Sequence, residues 1–386
     1  MIPYHSKYQQ TYLNFANNNV VRRTFCVNLS IFLKLPLKLS SKLSTKILQA
    51  LSLLLLPYSW SLNALTHENN RSDGIMLPQA PFVMFVSPSL APFMLVPNEN
   101  GDSLVPRSGF LGWIYNEGFF VQSHSSYAFN FPSTGADGLY FDLVIHGDAN
   151  DVTWDPVNRG GIIVTVTKIN KSDSLACRYS YDLDWAPDLV PPAHCGDTSE
   201  GYVFMRVTLK GSSASDVQKS ANNPDSISKP NLPQTFELVG KNIDGDEVLK
   251  YGFVLKQWFV NRGDKSASQS DQNAWCNAIG YRMASVKDLT NAKCGVDSNF
   301  PCINDIDGAL PQSSDNYLRR SVGAGFFTEW GGMNFYSGAD FIGSNDIIYY
   351  WTSDNEFAVL AYNGDPSLQD SLLYASRNHY GICAYP

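Results

Sequence analysis

Cys276 and Cys383 stand near the two ends of the last third of this 386-residue chain. The first lies on a short amphipathic segment, Ala274-Trp-Cys-Asn-Ala-Ile-Gly-Tyr281. The second lies in the last apolar run, Tyr380-Gly-Ile-Cys-Ala384. A bridge between them would tie the ends of one domain together, and the pairing Cys276 with Cys383 is the expected one. The chain has seven cysteines, of which Cys26 falls in the leader, so six remain: Cys177, Cys195, Cys276, Cys294, Cys302 and Cys383. An even number suits a disulfide framework in an oxidising compartment. Cys294 with Cys302 and Cys177 with Cys195 are the expected local bridges, although six cysteines leave other pairings open. No Cys-x-x-Cys occurs, which removes support for zinc ribbons and thioredoxin-type redox centres.

The leader points the same way. Before Glu68 lie seven of the 28 Lys and Arg and none of the 36 acids. The rest of the chain therefore has 21 bases against 36 acids, a formal charge of −15. An acidic body argues against nucleic acid, which needs clustered Lys and Arg. The basic stretch ends in Ile47-Leu-Gln-Ala-Leu-Ser-Leu-Leu-Leu-Leu56. That run is shorter than the roughly 20 apolar residues of a membrane-spanning helix. With small residues following at Ser61 to Ala64, residues 1–64 read as a signal peptide with a long basic n-region, the alternatives being an uncleaved N-terminal anchor, a start later than Met1 and a mitochondrial presequence. Export, to the cell surface or the medium, is the expectation.

Residues 65–109 are rich in Pro, Ser and Asn and are expected to form an extended linker, with Phe82-Val-Met-Phe-Val86 as one strand within it. From Phe110 the texture changes. Leu139, Phe141, Leu143 and Ile145 alternate with Tyr140, Asp142, Val144 and His146, a period of two. Ile162-Ile-Val-Thr-Val-Thr167 and Tyr202-Val-Phe-Met-Arg-Val-Thr-Leu209 supply further strands. Residues 110–209 thus read as a small β-sandwich. Residues 210–234 carry many Ser, Asn and Pro and few large apolar groups, the composition of a linker or long surface loop.

Residues 235–386 form the last domain. A helix is expected over Asp271 to Ile279, stopped by Gly280 in the left-handed region. A second begins at Ser285, where Ser285-x-x-Asp288 has the form of a capping box. Strand-like runs follow at Ile347–Trp351, Phe357–Ala361 and Tyr380–Cys383, giving an α+β domain.

Two regions resemble the intimin/invasin group of bacterial adhesins, in their distal passenger domains. Phe131-Pro-Ser-Thr-Gly135, Leu139-Tyr-Phe-Asp-Leu143 and Asp151-Val-Thr-Trp154 are similar to an invasin Ig-like domain. Phe253-Val-Leu-x-x-Trp-Phe259, Trp275-Cys276, Gly280-Tyr281, Leu289-Thr-Asn291, Thr328-Glu-Trp-Gly-Gly-Met333, Tyr350-Trp-Thr-Ser353 and Asn363-Gly364 are similar to the lectin-like cap of that group. The resemblance covers residues 115–386. It implies a mainly β chain: an Ig-like β-sandwich followed by an α+β, C-type-lectin-like domain. It also implies a non-catalytic role in recognising a host or bacterial surface protein or glycan. Intimins carry their own outer-membrane barrel. The sequence shows no such segment between leader and passenger, so a separate intimin-type transporter is the expected exporter. The sugar-binding triplets Glu-Pro-Asn and Gln-Pro-Asp are absent, so the lectin-like fold does not fix the ligand. Two other readings remain: a glycan-active enzyme on the same fold, and a fimbrial or periplasmic structural subunit.

Candidate binding residues follow. Arg262-Gly263-Asp264 reads as an exposed loop able to present a guanidinium–carboxylate pair. Glu329-Trp330 puts an aromatic beside a carboxylate, suited to a sugar or a protein partner if exposed. The contact surface is expected in the loops 260–270 and 305–344. Asn304-Asp-Ile-Asp-Gly308 and Asn242-Ile-Asp-Gly-Asp246 gather oxygens but match no EF-hand loop, so no metal and no cofactor is expected. His-Glu-x-x-His, Gly-x-Ser-x-Gly and phosphate-loop patterns are absent, and no catalytic residue is assigned.

Overall fold

The strands of the first part begin where apolar residues alternate. In a computed structural model, these are β1 (Phe82–Ser87), β2 (Trp113–Ile114), β3 (Gly118–Phe120), β4 (Thr134–Ala136), β5 (Tyr140–His146), β6 (Thr153–Trp154), β7 (Val157–Arg159), β8 (Ile162–Ile169) and β9 (Tyr202–Lys210). A short helix, α1 (Asp216–Ser220), precedes β10 (Gln234–Lys241), β11 (Glu247–Leu255) and β12 (Gln257–Asn261). Next come α2 (Gln269–Ala278), β13 (Arg282–Met283), α3 (Val286–Leu289) and α4 (Phe326–Trp330). The chain closes through β14 (Tyr349–Trp351), β15 (Ala358–Leu360), β16 (Pro366–Ser367) and β17 (Ile382–Tyr385). The structure describes residues 80–88, 113–114, 118–122, 124–177, 194–195, 201–292, 306, 308–310, 320–342, 348–354, 357–360, 366–367 and 378–386. The leader, most of 65–109, Cys294 and Cys302, and most of the Asn304–Gly308 turn lie outside the described residues.

Seven strands form one sheet in the order β2-β3-β1-β5-β9-β8-β7. The alternation in β5 explains its centre: Phe141, Leu143 and Ile145 are fully buried against the second sheet, β11-β10-β6. Phe141 meets Phe253 edge-on at 5.9 Å, and Phe253 stacks on Phe236 at 5.3 Å. Such aromatic pairs add about 0.5–1.5 kcal/mol each beyond area burial. The other face of β5 is covered as well. Val144 packs with Phe85, Ala176, Cys177, Cys195 and Phe204 in a separate cluster on the outside of the sheet. The Cys177–Cys195 bridge pins that cover.

Two placements differ from the sequence expectation. Phe82–Val86 is no linker strand: β1 lies between β3 and β5, and Val83, Phe85 and Val86 are buried. An apolar run of this kind needs cover on both faces, and the middle of a sheet provides it. The hairpin β10–β11, expected in the last domain, is the second sheet of the sandwich and pairs with β6 through Gly240 and Trp154.

The C-terminal part is built on a sheet in the order β13-β17-β12-β4. Its edge strand β4 comes from the sandwich segment and runs parallel to β12, with Trp258 opposite Gly135. Helix α2 begins at the cap Ser268, whose Oγ accepts from Asp271 N at 3.2 Å, and Gly280 ends it at φ +85. Ser285 starts α3 as expected, its backbone N and Oγ each donating to the Asp288 carboxylate at 2.7 Å. Cys276 on α2 is bridged to Cys383 on β17. The fold is mainly β with an α+β C-terminal part: a two-sheet sandwich followed by a mixed four-stranded sheet flanked by short helices. The described residues all belong to one compact unit, Met76–Pro386.

Residues 211–233 are a strap laid over the C-terminal part rather than a free span. Trp258 Nε1 donates to Ser212 O at 2.8 Å, Trp275 Nε1 to Gln218 O at 2.9 Å, and Tyr281 OH to Ser228 O at 2.9 Å. Few apolar side chains are needed when core residues supply donors to the strap's carbonyls.

Candidate functional site

Glu329 and Trp330 lie on α4, and the structure places both in the interior. Neither is solvent-exposed. The Glu329 carboxylate accepts from Ser133 N and Thr134 N at 3.1 Å each, from Thr134 Oγ1 at 2.7 Å, from Ser133 Oγ at 2.5 Å and from Gly323 N. Thr134 Oγ1 in turn accepts from Trp330 Nε1 at 3.2 Å. Burial pushes the Glu329 carboxyl up, and the donors from Ser133, Gly323 and Thr134 pull it back. A carboxylate offers about four lone-pair sites, and these are filled by the chain itself. It is therefore not poised to take a proton from a substrate or to hold a sugar hydroxyl.

Trp330 completes the same junction. Its ring meets Phe131 at 4.8 Å, Tyr336 at 5.7 Å and Phe141 at 6.2 Å. Arg320, also buried, donates from Nε to Glu329 O at 3.2 Å and from Nη2 to Trp330 O at 2.9 Å, closing the end of α4. Desolvation lowers its guanidinium to about 10. The expected binding pair is thus a joint between the sandwich segment Ser133–Thr134 and the C-terminal part. Its apolar surroundings leave the aromatic no path to solvent.

Arg262-Gly263-Asp264 is divided by the surface. Asp264 is exposed, but Arg262 is only 1% exposed. Its guanidinium donates to Lys219 O at 3.1 Å, Ala221 O at 2.9 Å and Gln272 Oε1 at 3.2 Å, over the Trp275 ring. The charge pair that the sequence suggests is not presented. The arginine instead fastens the end of α1 in the strap. Asn242 Oδ1 is similarly engaged: it accepts from Asp244 N at 3.0 Å and Asp246 N at 2.8 Å, a turn-closing role.

Among the described members of the predicted set, Glu329 and Trp330 meet at Thr134, the cysteines pair as Cys177–Cys195 and Cys276–Cys383, and Asp264 faces solvent. Sequence reasoning missed Arg320, for which no local pattern exists, and noted Ser133 and Thr134 only within the segment Phe131–Gly135, with no link to Glu329. It also missed His194, whose position beside Cys195 was the available signal. A cleft of about 450 Å³ opens at one end of the sandwich, lined by Phe82, Gln122, Tyr127, Asn130, Lys250 and Tyr251 among others. Its described ionisable groups are engaged: Lys250 with Glu247 at 2.6 Å, Tyr127 with Glu237 at 2.8 Å, and Tyr251 with Phe131 O. Burial raises both tyrosines further from ionisation.

No protein-family model matches the chain, and no curated protein matches it. Among solved structures, it is similar to a C-terminal 282-residue fragment of intimin in complex with the intimin-binding domain of the translocated intimin receptor. That match has 14% identity and a TM-score of 0.32 over 66% of this chain. An intimin mutant from EHEC O157:H7 matches at 13% identity and a TM-score of 0.29, over 66% of this chain and 89% of its own. The chain spans 59% of the length of the first of these fragments.

Proposed function

We propose that the chain is an exported, non-catalytic recognition protein that binds a surface partner through the C-terminal part, with the sandwich as its rigid base. The observation that carries this reading is the fate of the buried ionisable groups. Asp142, Arg262, Asp288, Arg320 and Glu329 are all spent on internal hydrogen bonds that lock the scaffold. Perturbed groups at a catalytic site are instead aimed into a cleft. Rigidity of this kind suits a platform for surface contacts, where pre-organisation lowers the ordering cost of binding. The expected contact surface narrows to the exposed Asp264–Ser266 turn and the neighbourhood of Leu310, which is 78% exposed. The partner is a host or bacterial surface protein or glycan, and the route is through the periplasm, served by a separate barrel transporter.

The test is flow cytometry of the purified full chain on bacterial and mammalian cells. A second chain replaces residues 311–319 by Gly and Ser, and a third carries Asp264→Ala. Saturable binding that drops about tenfold or more in at least one variant, with an unchanged melting curve, is expected. No saturable binding to either cell type, or release of sugar from a glycan array, overturns the reading.

A further inference from the structure

The two described disulfides have different neighbours. Cys276–Cys383 joins α2 to β17 inside the main core. Cys177–Cys195 lies outside the large sheet, and His194 stands beside it. A ligand atom of each of Cys177, His194 and Cys195 lies within 4.8 Å of the other two, and all three residues are buried. This is the one such grouping among the described residues. The rings of Tyr202, Phe85 and Phe204 surround the imidazole at 5.9, 6.2 and 6.2 Å.

A bridge that pins a loop needs no imidazole. This one is buried with a ligand nitrogen close to both sulfurs. Two thiolates and an imidazole are a soft donor set, which selects copper(I) and zinc over hard cations. Zinc completes a tetrahedron with a fourth ligand, whereas copper(I) accepts three. The cluster offers three ligands under an aromatic cover. The two cysteine Cα atoms are 5.2 Å apart, a span that lets both sulfurs reach one ion at metal–sulfur bonds of about 2.3 Å.

We propose that reduction of the Cys177–Cys195 bridge opens a copper(I) site formed by both sulfurs and the His194 imidazole. The chemistry balances with a phosphine as reductant. Phosphorus attacks one sulfur and the S–S bond breaks. Water supplies the oxygen of the phosphine oxide, and each sulfur takes one of its protons. A dithiol acts equally, ending as its own disulfide. Copper(I) then displaces both thiol protons to solvent and bonds the two thiolates and one imidazole nitrogen, leaving one net negative charge. In the oxidised state the sulfurs are bonded to each other and the site is closed.

The experiment uses the full chain, oxidised or reduced anaerobically with a phosphine, in competition with bicinchoninate for copper(I). The reduced chain is expected to hold one equivalent that the oxidised chain does not. His194→Ala keeps both cysteines and the bridge, and its oxidised form should melt below wild type, as loss of a buried ring dictates, but in the same single transition. On reduction it should bind copper(I) at least about tenfold more weakly. Cys177→Ser with Cys195→Ser should lose the equivalent altogether. Retention by this double variant would place the metal on Cys276, Cys383 or another cysteine and overturn the proposal. Equal binding by the oxidised chain, or no change in His194→Ala, would do the same. Zinc displacing copper(I) from the reduced chain would overturn the choice of ion.

Discussion

Asp288 shows how much a single side chain can carry here. It is 7% exposed. Its carboxylate accepts from Arg282 Nη2 at 2.8 Å and from Arg282 Nη1, from Ser285 N and Oγ at 2.7 Å, and from Gln257 Nε2 at 2.8 Å. Burial alone raises its pKa, but the Arg282 guanidinium and the Ser285 donors outweigh it and hold the carboxyl below the ordinary aspartate range. A depressed folded-state value means that the folded state binds fewer protons than the unfolded one. The stabilisation is therefore fully present above the unfolded value of about 3.9 and is lost as pH falls through the folded value. Asp288→Asn should cost about 1.5–3 kcal/mol at pH 7, the range for hydrogen bonds to a charged group. Urea titrations at pH 7 and near pH 2 check this. The gap between variant and wild type should narrow at the lower pH, as the wild-type stabilisation is lost with falling pH. A gap that persists unchanged would assign the loss to packing rather than to the charge.

Short elements were legible where their signals are local. The alternation through Phe141, Leu143 and Ile145 found β5, Ser285 with Asp288 found the start of α3, and Gly280 marked the end of α2. Pairing partners were not legible, because they lie far along the chain. Nothing in 234–255 says that Gly240 will face Trp154, and nothing in Glu329 points to Ser133, 196 residues away. The site failed for a related reason. Charged residues are usually exposed, so Arg262-Gly263-Asp264 read as a surface loop. Its arginine instead answers the carbonyls of a strap that has few apolar side chains of its own. This sets an expectation for the strap as an element. Arg262→Ala leaves the carbonyls of Lys219 and Ala221 without those donors, so limited proteolysis should cut within 211–233 well before the wild type is cut there. The stability loss should be about 1–3 kcal/mol. Asp264→Ala, two residues further along the same backbone, should stay within about 0.5 kcal/mol of wild type, as exposed sites do. Equal protease resistance in the two variants would mean that the strap is held by Trp258, Trp275 and Tyr281 alone.

At the scale of the molecule, the sandwich and the C-terminal part trade elements. β4 leaves the sandwich segment to join β12, and β10–β11 return across the strap to close the sandwich. Glu329 and Trp330 fasten the first crossing point to α4. At Gly138, with φ +78, an added Cβ would lie 1.8 Å from Gly338 O, so the backbones of the two parts touch there. A division at residue 234, which composition suggests, would therefore cut through two sheets. A fragment 235–386 would expose the apolar face of β10–β11, with Phe236, Leu238, Leu249 and Phe253, and would lack the edge strand β4. It should be insoluble or lack cooperative melting. A fragment 76–386 with its disulfides intact should melt in one calorimetric transition, its van't Hoff and calorimetric enthalpies agreeing as for a single cooperative unit. Glu329→Ala should lower that transition without splitting it, because neither part retains a closed core when the joint opens. Two separated transitions in the wild type would show that the shared strands and the Glu329 joint are too weak to couple the halves. The base would then be a hinge, and a rigid platform for surface contacts would lose its physical support.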